Sequence, residues 1–332
     1  MRKLVSILIP AHNAERWIGE TLESALRQTW PSKEIIVVDD GSSDRTLEIA
    51  RGYESGILKV ITQENRGASA ARNTAFSSAQ GDYIQWLDAD DLLAPDKISR
   101  QMLEIEKGYG SGTLLSGSFG VFYLRPEKAK FYPNSLWKDL NPIEWLTRKF
   151  GDNAWMILPV WLVSRNLAES AGPWDERLSL DDDGEYSSRL VSVSENILFV
   201  PEAKSYYRQW RSGSLSRTNS AKAIQSRFLS ISLCIDYLLA LDNSNRARTA
   251  CVRYLQARSS LFYPERQELF DRLRKIAEEL GGTLTTPLEK KKYMIIEKLF
   301  GRSASKKTKA IVANTKLSTS YYWDLLSYKL HI

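Results

Sequence analysis

Three acidic runs hold most of the chemistry this chain can do: Asp39-Asp40, Asp88-Ala89-Asp90-Asp91 and Asp181-Asp182-Asp183. Carboxylates brought to one place repel one another, so each run asks for a compensating cation. With only oxygen donors on offer, a hard divalent ion, Mn²⁺ or Mg²⁺, is the natural one. An ion held by one or two carboxylates keeps positions open for the diphosphate of a nucleotide. Other chemistries have little to work with. His12 and His331 are the only histidines, and Cys234 and Cys251 the only cysteines. A zinc centre, a Ser-His-Asp hydrolase and a disulfide framework are therefore disfavoured.

These carboxylates act together only if the fold gathers them. Residues 5–9 form a nearly unbroken aliphatic run, as expected of a strand buried on both faces. Residues 34–38, 58–62 and 83–87 are three more strands. Helical spacing over 17–28, N-cap residues Ser42, Ser43 and Asp44 before Leu47, Ile49 and Ala50, and the small-residue stretch 68–78 place helices between them. Strands alternating with helices predict an α/β fold with a mostly parallel central sheet and flanking helices. Asp39-Asp40 and Asp88–Asp91 then fall at the carboxyl ends of strands, where open parallel sheets bind ligands. Past Asp91 the pattern loosens. A strand over 114–123 is expected, then an aromatic, irregular stretch to Pro159, a helix over 181–191, a short strand over 197–200 and a polar loop over 208–216. Helices over 221–241, 247–261 and 264–280 follow.

The usual phosphate loops are missing. The turn after the first strand reads Pro10-Ala11-His12-Asn13-Ala14, without Gly-x-Gly-x-x-Gly, and no Gly-x-x-x-x-Gly-Lys-Ser/Thr occurs anywhere. A Rossmann dehydrogenase or a P-loop NTPase is disfavoured on that ground. The segments SILIPAHNAERWIGETLESALRQTW, EIIVVDDGSSDRT, ENRGASAARNTA, GDYIQWLDADD and AGPWDERLSLDDDGEYSSRL stand in order and register. Together they resemble glycosyltransferase family 2, the inverting enzymes of the GT-A fold, over roughly the first 215 residues.

The resemblance implies a nucleotide-sugar site, residue by residue. Pro10, His12 and Asn13 match the turn after the first strand, with the His12 ring stacking on the base. Asp40 matches the carboxylate that accepts from N3–H of uracil, a hydrogen cytosine lacks. Asp39 would order its loop or reach the ribose. Asn65 and Arg72 match a segment that approaches the phosphates, with Arg72 the candidate cation for diphosphate and Arg66 its substitute. Asp88-Ala89-Asp90 matches the DXD element: Asp90 is the expected metal ligand, Asp88 a ribose or water-mediated contact and second ligand. Asp91 would touch metal or donor sugar. Aligning on Arg189 and Glu185 puts the family's acidic pair at Asp182-Asp183, with Asp183 as the base. Asp stands where Glu is usual at 182, and Gly184 where an aromatic is common, so the register stays open among Asp181, Asp182 and Asp183. An acidic helix N-terminus would account for the same three residues.

The resemblance gives a GT-A domain over 1–218, with a nucleotide-binding half over 1–110 and an acceptor half over 111–218. The α-helical extension over 219–332 lies outside it. The formal net charge of +6 is carried by the end of that extension, where ten basic residues from Lys290 to Lys329 face Glu289, Glu297 and Asp324. Such a basic and apolar tail suits a peripheral contact with an anionic membrane, or a solvated face. Nucleic acid is not expected, and the apolar helices could pair in a homo-oligomer. The apolar run 228–241 is interrupted by serines and Asp236, so no membrane span is expected. Few cysteines and the lack of a charged-then-apolar leader before Val5 point to a cytoplasmic protein, with the inner membrane face as the place a peripheral contact would hold it. The expected activity is metal-dependent, inverting transfer of a sugar, with UDP the favoured carrier, to a hydroxyl of a glycan or lipid-linked acceptor in cell-surface polysaccharide synthesis. A non-catalytic nucleotide-sugar-binding module and a sugar nucleotidyltransferase are the alternatives. Trp210 and Arg211 are candidates to close over the donor or line the acceptor site.

Overall fold

The computed structural model describes residues 2–209 and 220–287. Trp210, Arg211 and the basic tail lie outside the described residues.

The first sheet contains β1 (Val5–Ala11), β2 (Lys33–Asp40), β3 (Leu58–Gln63), β4 (Tyr83–Trp86) and β8 (Val163–Ser164), in the order β3-β2-β1-β4-β8. The first four strands run parallel and β8 closes the edge antiparallel. Alternation along the strands feeds two cores. Ile7, Ile9, Ile35 and Val37 pack on one face, with α1 (Ile18–Leu26); Leu8, Ile36 and Val38 pack on the other, with α3 (Ala68–Ser78). A strand buried on both faces has no use for polar side chains, which explains the aliphatic runs. Between β2 and β3 lies α2 (Thr46–Arg51).

The second sheet has the order β5-β9-β6-β7, with β5 (Leu92–Leu93), β6 (Thr113–Phe122), β7 (Lys130–Phe131) and β9 (Asn196–Arg208). β6 and β9 run parallel with a register shift between Gly117 and Phe119. A Cβ at Gly117 would lie 2.1 Å from the Ala203 carbonyl oxygen, so only glycine fits this irregularity. The expected short strand over 197–200 is much longer, because pairing with β6 resumes after the shift and carries β9 to Arg208. β5 pairs with it at Leu92–Tyr206, which brings Arg208 beside the Asp90-Asp91 turn.

The remaining helices are α4 (Lys97–Glu106), α5 (Pro142–Gly151), α6 (Arg165–Ala171), α7 (Asp182–Val193), α8 (Ala221–Leu241), α9 (Asn245–Arg258) and α10 (Gln267–Glu279). The stretch expected to be irregular up to Pro159 therefore holds a helix. Asn141 caps α5 by accepting from Glu144 N at 2.8 Å, and Pro142 opens it. By length and composition α8 is able to cross a membrane, contrary to the expectation. In the fold its Ile231, Cys234, Ile235 and Leu238 join the core under β4 and α7. Its serines are used as well: Ser226 Oγ donates to Leu180 O at 2.6 Å, and Ser230 Oγ to Asp181 Oδ2 at 2.7 Å. α8 thus fixes the start of α7.

Candidate active site

The rim of the first sheet begins where β1 ends, with Pro10 buried opposite Val38 and Ala11 opposite Asp39. The chain then turns at His12 and Asn13, Asn13 with a left-handed φ of 49°. Asn13 Oδ1 accepts from Ser43 N at 2.8 Å and its own N–H donates to Ser42 Oγ at 3.0 Å, so this turn is tied to the one after β2. His12 Nδ1 lies 2.9 Å from Asp40 O. A carbonyl only accepts, so Nδ1 carries the proton and Nε2 accepts, from Asn13 Nδ2 at 3.1 Å or Asn65 Nδ2 at 3.2 Å. The His12 ring itself is exposed.

Asp39 and Asp40 differ more than their adjacency suggests. Asp40 Oδ1 accepts from Gln63 Nε2 at 2.7 Å and Arg66 N at 2.9 Å, and Oδ2 from Gly67 N at 2.8 Å. Gly67, at φ 94°, opens α3, and Gly41 is needed because a Cβ there would meet Asn65 N at 2.8 Å. Loop ordering, expected of Asp39, thus falls mainly to Asp40, which keeps about one of its four lone-pair sites open. Asp39 Oδ2 accepts from Ser42 N at 3.2 Å, while its buried Oδ1 has no partner.

Arg72 is placed otherwise than expected. It is buried within α3, with Nη2 2.8 Å from Asp88 Oδ1 and Nη1 2.6 Å from Asp182 Oδ2, and its guanidinium lies 4.3 Å over the Trp174 ring. Burial works against its charge, but Asp182 and Asp88 outweigh it and raise its pKa. Its charge is matched by two carboxylates, so it is a brace across the rim rather than an open cation for diphosphate. Arg66, the substitute, is exposed and pairs with Glu176 at 2.9 Å.

Four residues at the end of β4 have four different surroundings. Asp88 is held by Arg72. Ala89 O accepts from Thr21 Oγ1 at 2.9 Å. Asp90 offers only its backbone carbonyl to a neighbour, Arg208 Nε at 2.9 Å. Burial, then the charge of Asp88, raises the Asp90 carboxyl to about 6, opposed by Arg208. Asp91 is 1% exposed, and its Oδ1 accepts from Arg208 N at 2.9 Å. Burial, then Asp90 and Asp88, push its pKa well above the usual range. That corrects the expectation of a metal or donor contact there: Asp91 is turned inward to β9.

The second acidic run separates in the same way. Asp181, at φ 59° before α7, turns to Ser230 of α8. Asp182 takes Arg72. Asp183 has only its neighbour Gly184 N, at 2.8 Å. Burial, then Asp182, Asp181 and Asp88, raise Asp183 to about 7 against the opposing charge of Arg72. Glycine at 184 also has a reason, since a Cβ would come 2.6 Å from Asp181 Oδ1.

Arg208 and Tyr207 escaped the sequence reading. Arg208 is fully buried, pairs with Glu20 at 2.6 Å and stacks 4.2 Å over Trp17. Tyr207 is raised by burial, then by the charges of Asp91, Asp90, Asp183 and Asp88. The Tyr-Tyr-Arg run at the strand end was the available signal.

Among the described residues no three metal-binding side chains form a ready cage. The donors nevertheless suit a hard divalent ion that arrives with a diphosphate. They are oxygens only, Asp90 has no cation in contact among the described residues, and the ion would need only one or two carboxylates from the protein.

Residues 6–150 match the family described as "Glycosyl transferase family 2". An uncharacterized glycosyltransferase of Haemophilus influenzae is 29% identical over 208 residues, 62% of this chain and 79% of the relative. The putative teichuronic acid biosynthesis glycosyltransferase TuaG of Bacillus subtilis is 42% identical over 104 residues, 30% of this chain and 41% of TuaG. In three dimensions the chain is similar to S. aureus TarS 1-349 in complex with UDP-GlcNAc. That likeness has a TM-score of 0.68 and 18% identity, and covers 86% of this chain and 82% of that one. It extends the GT-A fold beyond the segment matched by sequence.

Proposed function

The chain belongs to glycosyltransferase family 2 and is a glycosyltransferase; on that premise we propose that it moves a sugar from a UDP-sugar to a hydroxyl of a glycan or lipid-linked acceptor, inverting the anomeric configuration. The observation that carries this is the division of labour at Arg72: it neutralises Asp88 and Asp182 and leaves Asp90 and Asp183 beside them with raised pKa values.

The exposed His12 ring offers a face for the uracil base, and Asp40 retains one acceptor site for N3–H. Asp90, with Asp88, would hold Mn²⁺ or Mg²⁺, which when bound neutralises charge on the leaving diphosphate. Asp183 accepts the acceptor hydroxyl proton. The hydroxyl oxygen forms its bond to the anomeric carbon as the bond from that carbon to the diphosphate breaks on the opposite side, so configuration inverts. At about 7, Asp183 matches the pH at which a general base both exists as carboxylate and holds a proton usefully. The bound UDP-GlcNAc of TarS and the polysaccharide role in the name of TuaG support UDP and a cell-surface glycan. A cytoplasmic location, with the basic tail as a membrane contact, completes the proposal.

The test is donor turnover without acceptor. UDP-, GDP- and dTDP-sugars are incubated with Mn²⁺ and free nucleotide is measured, alongside thermal shifts with each nucleotide. Hydrolysis of UDP-sugar by the wild type, with hydrolysis lost and UDP stabilisation kept in Asp183→Asn, is the expected result. Equal hydrolysis by both proteins would remove Asp183 from the reaction.

A further inference from the structure

Beside the carboxylates lies a groove of about 450 Å³ lined by Phe119, Tyr132, Asn134, Ser135, Asn153 and Trp155, among others. Tyr132 is 61% exposed and Trp155 46%, large aromatic faces left to water, which is costly unless something covers them. The groove is built rather than incidental. Asn134 Nδ2 donates to Trp155 O at 3.0 Å, and the Phe119 ring lies 4.9 Å from that of Trp155. Asn153, at φ 50°, accepts from Arg258 of α9 at 3.1 Å, so the helical extension braces its floor. The Ser135 hydroxyl is buried beneath this wall and has no partner among the described residues.

Two links join this groove to the reacting carboxylates. Trp155 packs edge-on against Tyr207 at 6.0 Å, and the next residue, Arg208, bonds Asp91 through its backbone N–H and the Asp90 carbonyl through Nε. From the other side, Lys149 Nζ at the end of α5 donates to Gly184 O at 2.8 Å and Ser188 Oγ at 2.6 Å. That bond fixes the segment leading to Trp155 against the turn of α7 that holds Asp183.

The geometry points to an acceptor-sugar platform, occupied by a neutral pyranose whose hydroxyl is presented to Asp183. A pyranose has an apolar C–H face for the indole and phenol rings, and equatorial hydroxyls for the amides of Asn134 and Asn153. A polyprenyl tail would want an unbroken apolar wall, and this one is interrupted by the side-chain amides of Asn134 and Asn153. The inference rests on the glycosyltransferase reading and adds to it where the acceptor sits and which residues select it.

Saturation-transfer NMR with cellobiose, lactose, maltose and chitobiose tests this without a known acceptor. At least one should receive saturation on its ring protons from the wild type. The apparent affinity should fall roughly five- to tenfold in Trp155→Ala, the loss of one stacked ring, and recover partly in Trp155→Phe. Tyr132→Ala, at an exposed position, gives a second reading if Trp155→Ala fails to fold. UDP affinity should stay within about twofold in all of them. No saturation of any disaccharide, or a signal unchanged in both alanine variants, overturns the platform. So does a dimer in sedimentation that Trp155→Ala dissolves, which would give the face to a second copy. If the wild type fails to bind UDP, the donor reading fails, and the disaccharide signals still decide the groove.

Discussion

Two runs of three carboxylates, built from different elements, have the same internal arrangement. At the end of β4, Asp88 is braced by Arg72, Asp91 is turned inward to β9 and Asp90 is left without a cation in contact among the described residues. At the start of α7, Asp182 is braced by the same Arg72, Asp181 is turned aside to Ser230 and Asp183 is left. Both remaining groups are raised, Asp90 to about 6 and Asp183 to about 7, and position sorts their work. Asp90 stands beside Asp88 at the strand end and suits a metal ion, while Asp183 stands in the first turn of α7 and suits proton exchange. One buried guanidinium braces a neighbour of each, and its charge opposes the rise at Asp183, while at Asp90 the opposing charge is that of Arg208.

The largest effect that would break this comparison is expected at Asp183. Asp183→Asn should cut turnover roughly 10²–10⁴-fold with UDP binding intact, measured by steady-state kinetics and calorimetry. It should also change the pH dependence of stability. A carboxyl raised from 3.8 to about 7 on folding contributes stability that is full below about 4 and lost as pH rises through 7. Denaturant melts of the ligand-free wild type should therefore weaken from pH 5 to 8, and Asp183→Asn should flatten that slope. An unchanged slope would mean that Asp183 titrates normally. The next effect is at Asp90. Asp90→Asn should reduce Mn²⁺-dependent turnover by about 10²-fold and abolish the response to added metal, while the pH limb near 7 stays in place. Movement of that limb would show that the two groups share one role.

Much of this arrangement was legible in the sequence, and the rest was hidden for a physical reason. Strand-end placement needs only local periodicity, so the positions of Asp40 and Asp90 followed from runs of aliphatic residues, and α3 spans 68–78 as expected. Which of two adjacent carboxylates faces the cleft depends on partners far along the chain. Asp91 is turned inward by Arg208, 117 positions away, and Arg72 reaches Asp182 across 110. Such pairings leave no mark in local spacing, which is why Arg72 read as a free cation. The helix α5 was lost among aromatics, although Asn141-Pro142 is a start signal for it.

Arg72→Gln tests the brace itself. Breaking a buried pair costs about 3–5 kcal/mol, and about 2–3 is expected here because Asp88 is 31% exposed and can rehydrate. Urea melts measure the loss. With the opposing charge gone, the Asp183 carboxyl should rise further above 7, so the acid limb of the pH–rate profile moves to higher pH. A stable variant with an unmoved limb would leave the two acidic runs independent.

Ser230→Ala should have the smallest effect, and it settles the register. Ser230 is buried in α8 and its hydroxyl serves Asp181 at both the carboxylate, 2.7 Å, and the carbonyl, 3.1 Å. Removing it leaves Asp181 short of a donor, and a stability loss of about 1–2 kcal/mol is expected in the same melts. If Asp183 is the base, Asp181 enters the reaction only as a distant charge, and kcat and its pH limb should stay within about threefold and a few tenths of a unit. If Asp181 were the base, loss of the Ser230 hydroxyl that bonds its carboxylate would cost activity as heavily as the Asp90 or Asp183 variants. A large kinetic effect from this small hydroxyl would therefore reassign the base, and with it the claim that the inward-turned member of each run is structural.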